Sequence, residues 1–312
     1  MKKRFILIAV SLLILAALIW YANPASMAGV IVKSNIYYLA AAFVVATISL
    51  CLRVLKWQAL LDGVGFTELF PVQMLGITIS NFTPGKIAEP LKAIILRMRK
   101  GVQIAVSLPS IIWERILDVI VLIVFSLLAI QMISFQSRIM LLSFISIAAF
   151  SALIVLLLLV LYNKKIGFRI FAFLHKLPLV KKLPEDFMKN FYESKIRKTR
   201  LSLCFIITLV AWMFDGVVLY LTMLALGIML NPLVLAGIIA LSVLIGVAST
   251  LPGGLGSTEA VMILLLGVVG VSSTTAVAGV MLSRFISFWY GILVGAVSLI
   301  YLSKKIDMKQ VL

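Results

Sequence analysis

The chain has 312 residues, 63% of them hydrophobic and 12% charged, with a formal net charge of +17 at pH 7. A soluble domain carries roughly 25% charged residues, so the composition excludes a soluble globular fold and indicates an all-α polytopic membrane protein. Both cysteines, Cys51 and Cys204, lie in apolar runs, which argues against a disulfide framework or a thiolate metal site.

Residues 1–34 begin with Lys2-Lys3-Arg4 and an apolar run to Ala22. That run exceeds the roughly 7–15 residues of a signal-peptide core, so it is predicted to be a first span, followed by an outer loop over Asn23–Asn35. Ile36–Leu55 returns inward, with Arg53, Lys56 and Trp57 expected as a basic and aromatic interface anchor. After a loop over Asp62–Pro71 come two apolar pieces, Val72–Phe82 and Ala88–Leu96, separated by Thr83-Pro84-Gly85-Lys86. A span needs about 20 residues; two half-length pieces around Pro-Gly predict a re-entrant hairpin.

Val102–Ile133 is the next span and carries Glu114, Arg115 and Asp118. Gln131–Arg138 is an expected outer turn, and Ile139–Tyr162 returns. In the basic connection Asn163–Arg200, Phe168, Phe171, Leu174 and Leu177 recur at helical spacing and, with Phe187 and Phe191, suggest interfacial amphipathic helices. The sole histidine, His175, falls here and is expected at the surface. Leu201–Leu226 goes outward with Asp215. Leu233–Thr250 and Ala260–Val271 then flank a second break containing Pro252, Gly253, Gly254 and Gly256. Proline removes a backbone donor and glycine lowers helix propensity, so the helix is expected to stop there and restart with Glu259 in its first turn. Ala276–Leu302 crosses inward.

The expected architecture is one transmembrane domain of about six full spans plus two re-entrant broken-helix hairpins. It divides into 1–34, a first repeat 35–133, a connecting span and basic segment 139–200, and a second repeat 201–303. Lys and Arg cluster at residues 2–4, at Arg53 and Lys56, at Lys92–Lys100, along 164–200 and at Lys304, Lys305 and Lys309. All fall on one side of this count, leaving Lys33 and Arg138 opposite. The positive-inside rule then predicts two cytoplasmic termini, and the charge is better explained by anionic lipid headgroups than by nucleic acid.

Each half joins a span, a Pro-Gly break followed by Glu (Glu89, Glu259), and a span with an internal Arg (Arg115, Arg284). The halves run in opposite senses, as in secondary transporters whose sites form where broken helices meet. Charges in or beside apolar segments are Glu89, Glu114, Arg115, Asp118, Asp215, Glu259 and Arg284, with Lys86 at the first break. At about 2.5–3.5 kcal/mol each when lipid-facing, the first seven would outweigh a typical net stability of about 5–15 kcal/mol. They therefore face protein, a cavity or an interface. Two uses remain open. They pair structurally, as Arg115 with Asp118 at i,i+3 and Arg284 with Glu259 or Asp215. Alternatively, with Lys86 and the helix N-termini of the two breaks, they form a substrate-binding centre for an anion.

Thr83-Pro84-Gly85-Lys86 with Glu89, the basic run after Leu96, Glu114-Arg115 with Asp118, and Pro252-Gly253-Gly254-Leu255-Gly256 with Glu259 resemble the flippase-like transmembrane family. That family is also called the lysylphosphatidylglycerol synthase transmembrane region, as found in multiple peptide resistance factors. The likeness covers roughly 35–300. It implies an inner-membrane protein of a bacterium or archaeon that moves lipids between leaflets without a cofactor, and it implies transport rather than catalysis. The sequence stops at Leu312 without the aminoacyltransferase domain of those factors, so lipid synthesis is not implied. The expected cargo is an anionic or aminoacylated phospholipid, or a polyprenyl-phosphate-linked lipid. A homo-oligomer and a separate lipid-synthesising enzyme are the protein partners compatible with this. The alternatives are a secondary transporter of a small soluble anion and a membrane-embedded lipid-headgroup enzyme.

Overall fold

A computed structural model of the chain describes residues 2–83, 88–137 and 196–305, with residues 152, 159, 163–166, 168 and 169 between them. Pro84, Gly85, Lys86, His175, the span expected over 139–162 and most of the expected amphipathic helices lie outside the described residues. Among those described, every regular element is helical.

The chain opens with α1 (Lys2–Tyr21) and α2 (Pro24–Val32), bent by 77° at Asn23. Asn23 has φ +58°, its side chain caps α2, and Pro24 fits the first helical position. The segment expected as an outer loop is thus largely helical. Next come α3 (Ile36–Gln58), α4 (Phe66–Asn81), α5 (Leu91–Lys100) and α6 (Ile104–Ser137). The loop expected through Pro71 ends at Gly65, because Glu68 accepts the Gly65 N–H at 3.3 Å and starts α4 with Pro71 inside it. The apolar half-helix expected from Ala88 begins at Leu91 instead and runs to Lys100. Helix α6 continues through the expected turn over 131–137.

The second part holds α7 (Lys198–Ala225), α8 (Pro232–Ala248), a 3-10 turn (Pro252–Gly254), α9 (Ser257–Val268), α10 (Ser273–Arg284), a π-helical turn (Phe285–Trp289) and α11 (Tyr290–Ser303). Among the described residues, four stretches are long and apolar enough to cross a membrane, Ile36–Gln58, Val106–Ile133, Lys198–Ala225 and Ser273–Ser303; the bent pair α1–α2 makes a fifth. The last of these contains the span expected over Ala276–Leu302 and carries the π turn in its middle.

Helix α3 lies along α7, α6 packs on α8, and α4 packs on α11. Small residues permit the close approaches. A Cβ on Gly216 of α7 would lie 2.6 Å from that of Ala236 on α8, one on Gly237 would strike Ala129 of α6, and one on Gly295 of α11 would strike Thr78 of α4. One apolar core gathers residues of α6 to α10, including Val121, Leu219, Leu235, Met262 and Val277. Another joins α3, α4, α5 and the ends of α6 and α11 around Trp57, Leu69, Met74, Ile95 and Leu302. The charged residues lie beside and between these cores.

Candidate functional site

The first charged group is buried where α3, α4, α5 and α6 meet. Lys92, 0% exposed, donates to Glu114 Oε2 at 2.8 Å, Gln73 Oε1 at 3.0 Å and Glu89 Oε1 at 3.1 Å. Lys56, 1% exposed, donates to Asp118 Oδ1 at 2.6 Å and lies 3.4 Å from Glu114 Oε1. Arg115 reaches Asp118 Oδ2 at 2.7 Å, Glu89 Oε2 at 3.1 Å and Glu114 Oε1 at 3.2 Å. Trp212 of α7 adds a 3.0 Å hydrogen bond to Asp118, and Gln73 one of 2.9 Å to Glu114. Lys92 also stands 4.8 Å from the centre of the Trp57 ring. Lys56, Lys92 and Arg115 balance Glu89, Glu114 and Asp118, so this cluster is neutral and closely ion-paired.

Two sequence expectations change here. Arg53, Lys56 and Trp57 are not an interface anchor: Lys56 and Trp57 are buried, and Arg53 points inward to pair with Asp215 of α7. Lys92 does not belong with the basic run that follows it. It enters the interior because a Cβ at Gly76, which its stem crosses, is absent.

The second group lies at the tip of the α8–α9 hairpin. After Thr250 the chain passes through Pro252 and three glycines with positive φ, Gly253, Gly254 and Gly256. At Gly253 (φ +62°) a Cβ would lie 2.7 Å from Phe288 Cζ and 3.2 Å from the Asn81 carbonyl, so glycine is required both by conformation and by space. The same approach brings the tip against the end of α4, where the first break begins. Gly256 caps α9, and Glu259 Oε2 accepts its N–H at 2.6 Å. Glu259 Oε1 receives Arg284 Nε at 2.5 Å, while Arg284 Nη2 reaches the Gly253 carbonyl at 3.5 Å and the guanidinium lies 4.2 Å from the Phe288 ring centre.

Between the groups is a cavity of ≈130 Å³ with Ser49, Arg53, Asn81, Asp215, Thr258 and Arg284 on its walls. Cavities of about 150 Å³ admit a benzene-sized molecule, so a phosphate-sized group fits. Ser49 donates to Asp215 Oδ1 at 2.7 Å, and Arg53 holds the other oxygen while its guanidinium carbon lies 5.0 Å from the Trp212 ring centre. Ser283 and Ser287 flank Arg284 on the wall, where Glu114 and Asp118 flank Arg115 in the other half. Arg115 is thus enclosed by three carboxylates, whereas Arg284 meets one and faces open space.

The residues singled out from sequence therefore divide. Asp215 and Arg284 line the cavity; Glu259 supports Arg284 from behind; Glu89, Glu114, Arg115 and Asp118 belong to the neutral cluster. Arg53, Lys56, Gln73, Lys92 and Trp212 were not singled out as site residues. Arg53 inside an apolar run, Gln73 in an apolar helix and Lys92 three residues after Glu89 were the available signals. Among the described residues, no group of His, Cys, Asp and Glu is placed to hold a metal ion.

A profile of the family described as "Lysylphosphatidylglycerol synthase TM region" matches residues 8–295. The chain belongs to that family. Its lysylphosphatidylglycerol synthase TM region is similar along nearly its whole length to a UPF0104 membrane protein of Pyrococcus horikoshii, 27% identical over 95% of this chain and 96% of that protein. A UPF0104 membrane protein of Methanothermobacter thermautotrophicus is 28% identical over 98% of both chains. Another, from Methanocaldococcus jannaschii, is 22% identical over 99% of this chain and 97% of its own length. The chain is therefore a multi-pass membrane protein, and both Pro-Gly breaks and the charged residues of the two groups and the cavity fall inside the matched span.

Proposed function

We propose that the protein is a lipid transporter that moves an anionic or aminoacylated phospholipid, or a polyprenyl-phosphate-linked lipid, between leaflets, with the headgroup passing through the Arg53–Asp215–Arg284 cavity. The observation that carries this reading is the cavity itself, lined by two arginines and a carboxylate contributed by α3, α7 and α10. The unanswered face of Arg284 suits a phosphate oxygen pair. Asp215, held by Arg53 and Ser49, suits a cationic aminoacyl or ethanolamine group. The acyl chains would remain outside, against the exposed Phe43 of α3 and the exposed Phe285 and Trp289 of the π-helical turn, whose Ser287 and Phe288 line the cavity.

An inverted repeat underlies the proposal, and the packing supports it. The first helices of the halves, α3 and α7, lie together, and the second helix of each half packs on the last of the other: α4 on α11, α8 on α6. Arg53 and Asp215 stand equally far from the starts of α3 and α7. Such an arrangement gives each half a broken helix beside a shared centre and allows rocking about it. In the proposed setting the membrane is the cytoplasmic one and both termini face inward.

A second reading, transport of a small soluble anion, draws on the small volume of the same cavity. Proteoliposomes separate the two. Leaflet exchange of labelled phosphatidylglycerol or a polyprenyl phosphate that is lost in Arg284→Gln supports lipid transport. Uptake of free phosphate without any lipid exchange would replace it with the solute reading.

A further inference from the structure

Away from the cavity, the ends of α5 and α11 and the start of α4 enclose a cleft of ≈590 Å³ that includes Glu68, Arg99, Lys100, Tyr301 and Lys305. Lys100 is paired with Glu68. Arg99 and Lys305 have no carboxylate partner among the described residues. Both stand against the Tyr301 ring, the Arg99 guanidinium carbon 5.4 Å and Lys305 Nζ 4.6 Å from its centre. Lys305 Nζ also donates to the Tyr301 hydroxyl at 2.8 Å. Arg99 Nη1 is buried and has no hydrogen-bond partner.

A buried donor without an acceptor is unfavourable, and so are two cations sharing one ring when the one carboxylate among the described residues of the cleft, Glu68, is taken by Lys100. One ligand relieves both. We propose that this cleft is a phosphate-binding site, with Arg99 and Lys305 as the ligand-holding cations and the Tyr301 hydroxyl as a further donor. A tetrahedral phosphate offers enough oxygens for the Arg99 fork, the Lys305 ammonium and the Tyr301 hydroxyl together; a carboxylate has two. Its source is a lipid headgroup or free phosphate. None of these residues lines the cavity, so this proposal and the transport reading stand or fall separately.

The test is native mass spectrometry and titration of the delipidated full chain in detergent with phosphatidylglycerol and, separately, inorganic phosphate, using wild type, Arg99→Gln and Lys305→Gln. Lys305 is exposed, so its substitution leaves folding intact even where that of Arg99 does not. The expected result is binding weakened by about tenfold or more in each variant, as loss of a charge-assisted contact predicts. Binding of phosphatidylglycerol that inorganic phosphate does not match assigns the site to a headgroup; equal binding of inorganic phosphate assigns it to the free ion. No binding of either probe, or binding that neither substitution weakens, overturns the proposal.

Discussion

Arg284 Nε and Glu259 Oε1 lie 2.5 Å apart, joining the end of α10 to the first turn of α9 across the broken hairpin. The first half repeats the relation, with Arg115 Nε 3.1 Å from Glu89 Oε2. The two arginines differ in what else surrounds them. Arg115 is also ion-paired with Glu114 and Asp118, whereas the flanking positions of Arg284 are serines on a cavity wall. Of the two uses left open by the sequence, structural pairing describes the Glu89–Glu114–Arg115–Asp118 cluster, and the proposed substrate site takes Arg284 and Asp215 together with Arg53 of the first half.

Glu259→Gln tests the support of Arg284. It removes the charge that orients Nε and weakens the hold on the Gly256 N–H. The expected outcome is a fall in leaflet exchange of about tenfold or more, with a stability loss of about 1.5–3 kcal/mol, the scale of a lost charged hydrogen bond beside a cavity. Exchange assays and thermal denaturation of the same preparation check both parts.

Charge balance in the first cluster makes a different prediction. Lys92→Met removes one of the two cations that Glu89 and Glu114 share, leaving the cluster one positive charge short, and breaking such a buried pair costs about 3–5 kcal/mol. Adding Glu114→Gln restores neutrality and should recover most of that stability. A double-mutant cycle on apparent Tm in detergent reads the coupling directly.

Gly253→Ala forces a side chain into a left-handed position facing Phe288 and the Asn81 carbonyl. The expected cost is about 1–3 kcal/mol of backbone strain, with a disproportionate loss of exchange because Phe288 and the Gly253 carbonyl both touch Arg284. Gly267→Ala, where a Cβ meets nothing within 4 Å, is the control and should leave exchange unchanged.

Filling the cavity should stop transport without unfolding the protein. Ser287→Leu places apolar bulk on the wall beside Arg284. Exchange should fall by at least about tenfold while apparent Tm holds or rises, since the new side chain occupies space already present.

Much of the second hairpin was legible because proline, glycine and a first-turn glutamate act locally: the expected break falls within a few residues of the observed one. The Arg115–Asp118 contact was legible for the same reason, being i,i+3 on one helix. Lys92 was not. In sequence it runs into Arg97, Arg99 and Lys100, but the rise of a helix puts about 10 Å between its level and that of Arg99. That shift takes it from the headgroup end into the core. Arg53 and Lys56 misled similarly, since residues near a helix end anchor at an interface only if the neighbouring elements leave them there. Here α4, α6 and α7 cover them, a tertiary fact absent from local pattern. The start of α4 was hidden by Pro71, although Glu68 three residues after Gly65 carried the capping signal.

The most direct test of the central claim is the leaflet exchange of labelled phosphatidylglycerol and a polyprenyl phosphate in proteoliposomes containing wild type, Arg284→Gln or Arg284→Lys. If the cavity carries the headgroup, wild type exchanges at least one of these lipids, Arg284→Gln loses that activity, and Arg284→Lys, which keeps the charge without the fork, retains an intermediate rate. Equal exchange by all three proteins would contradict the account, because the lipid would then cross without meeting Arg284.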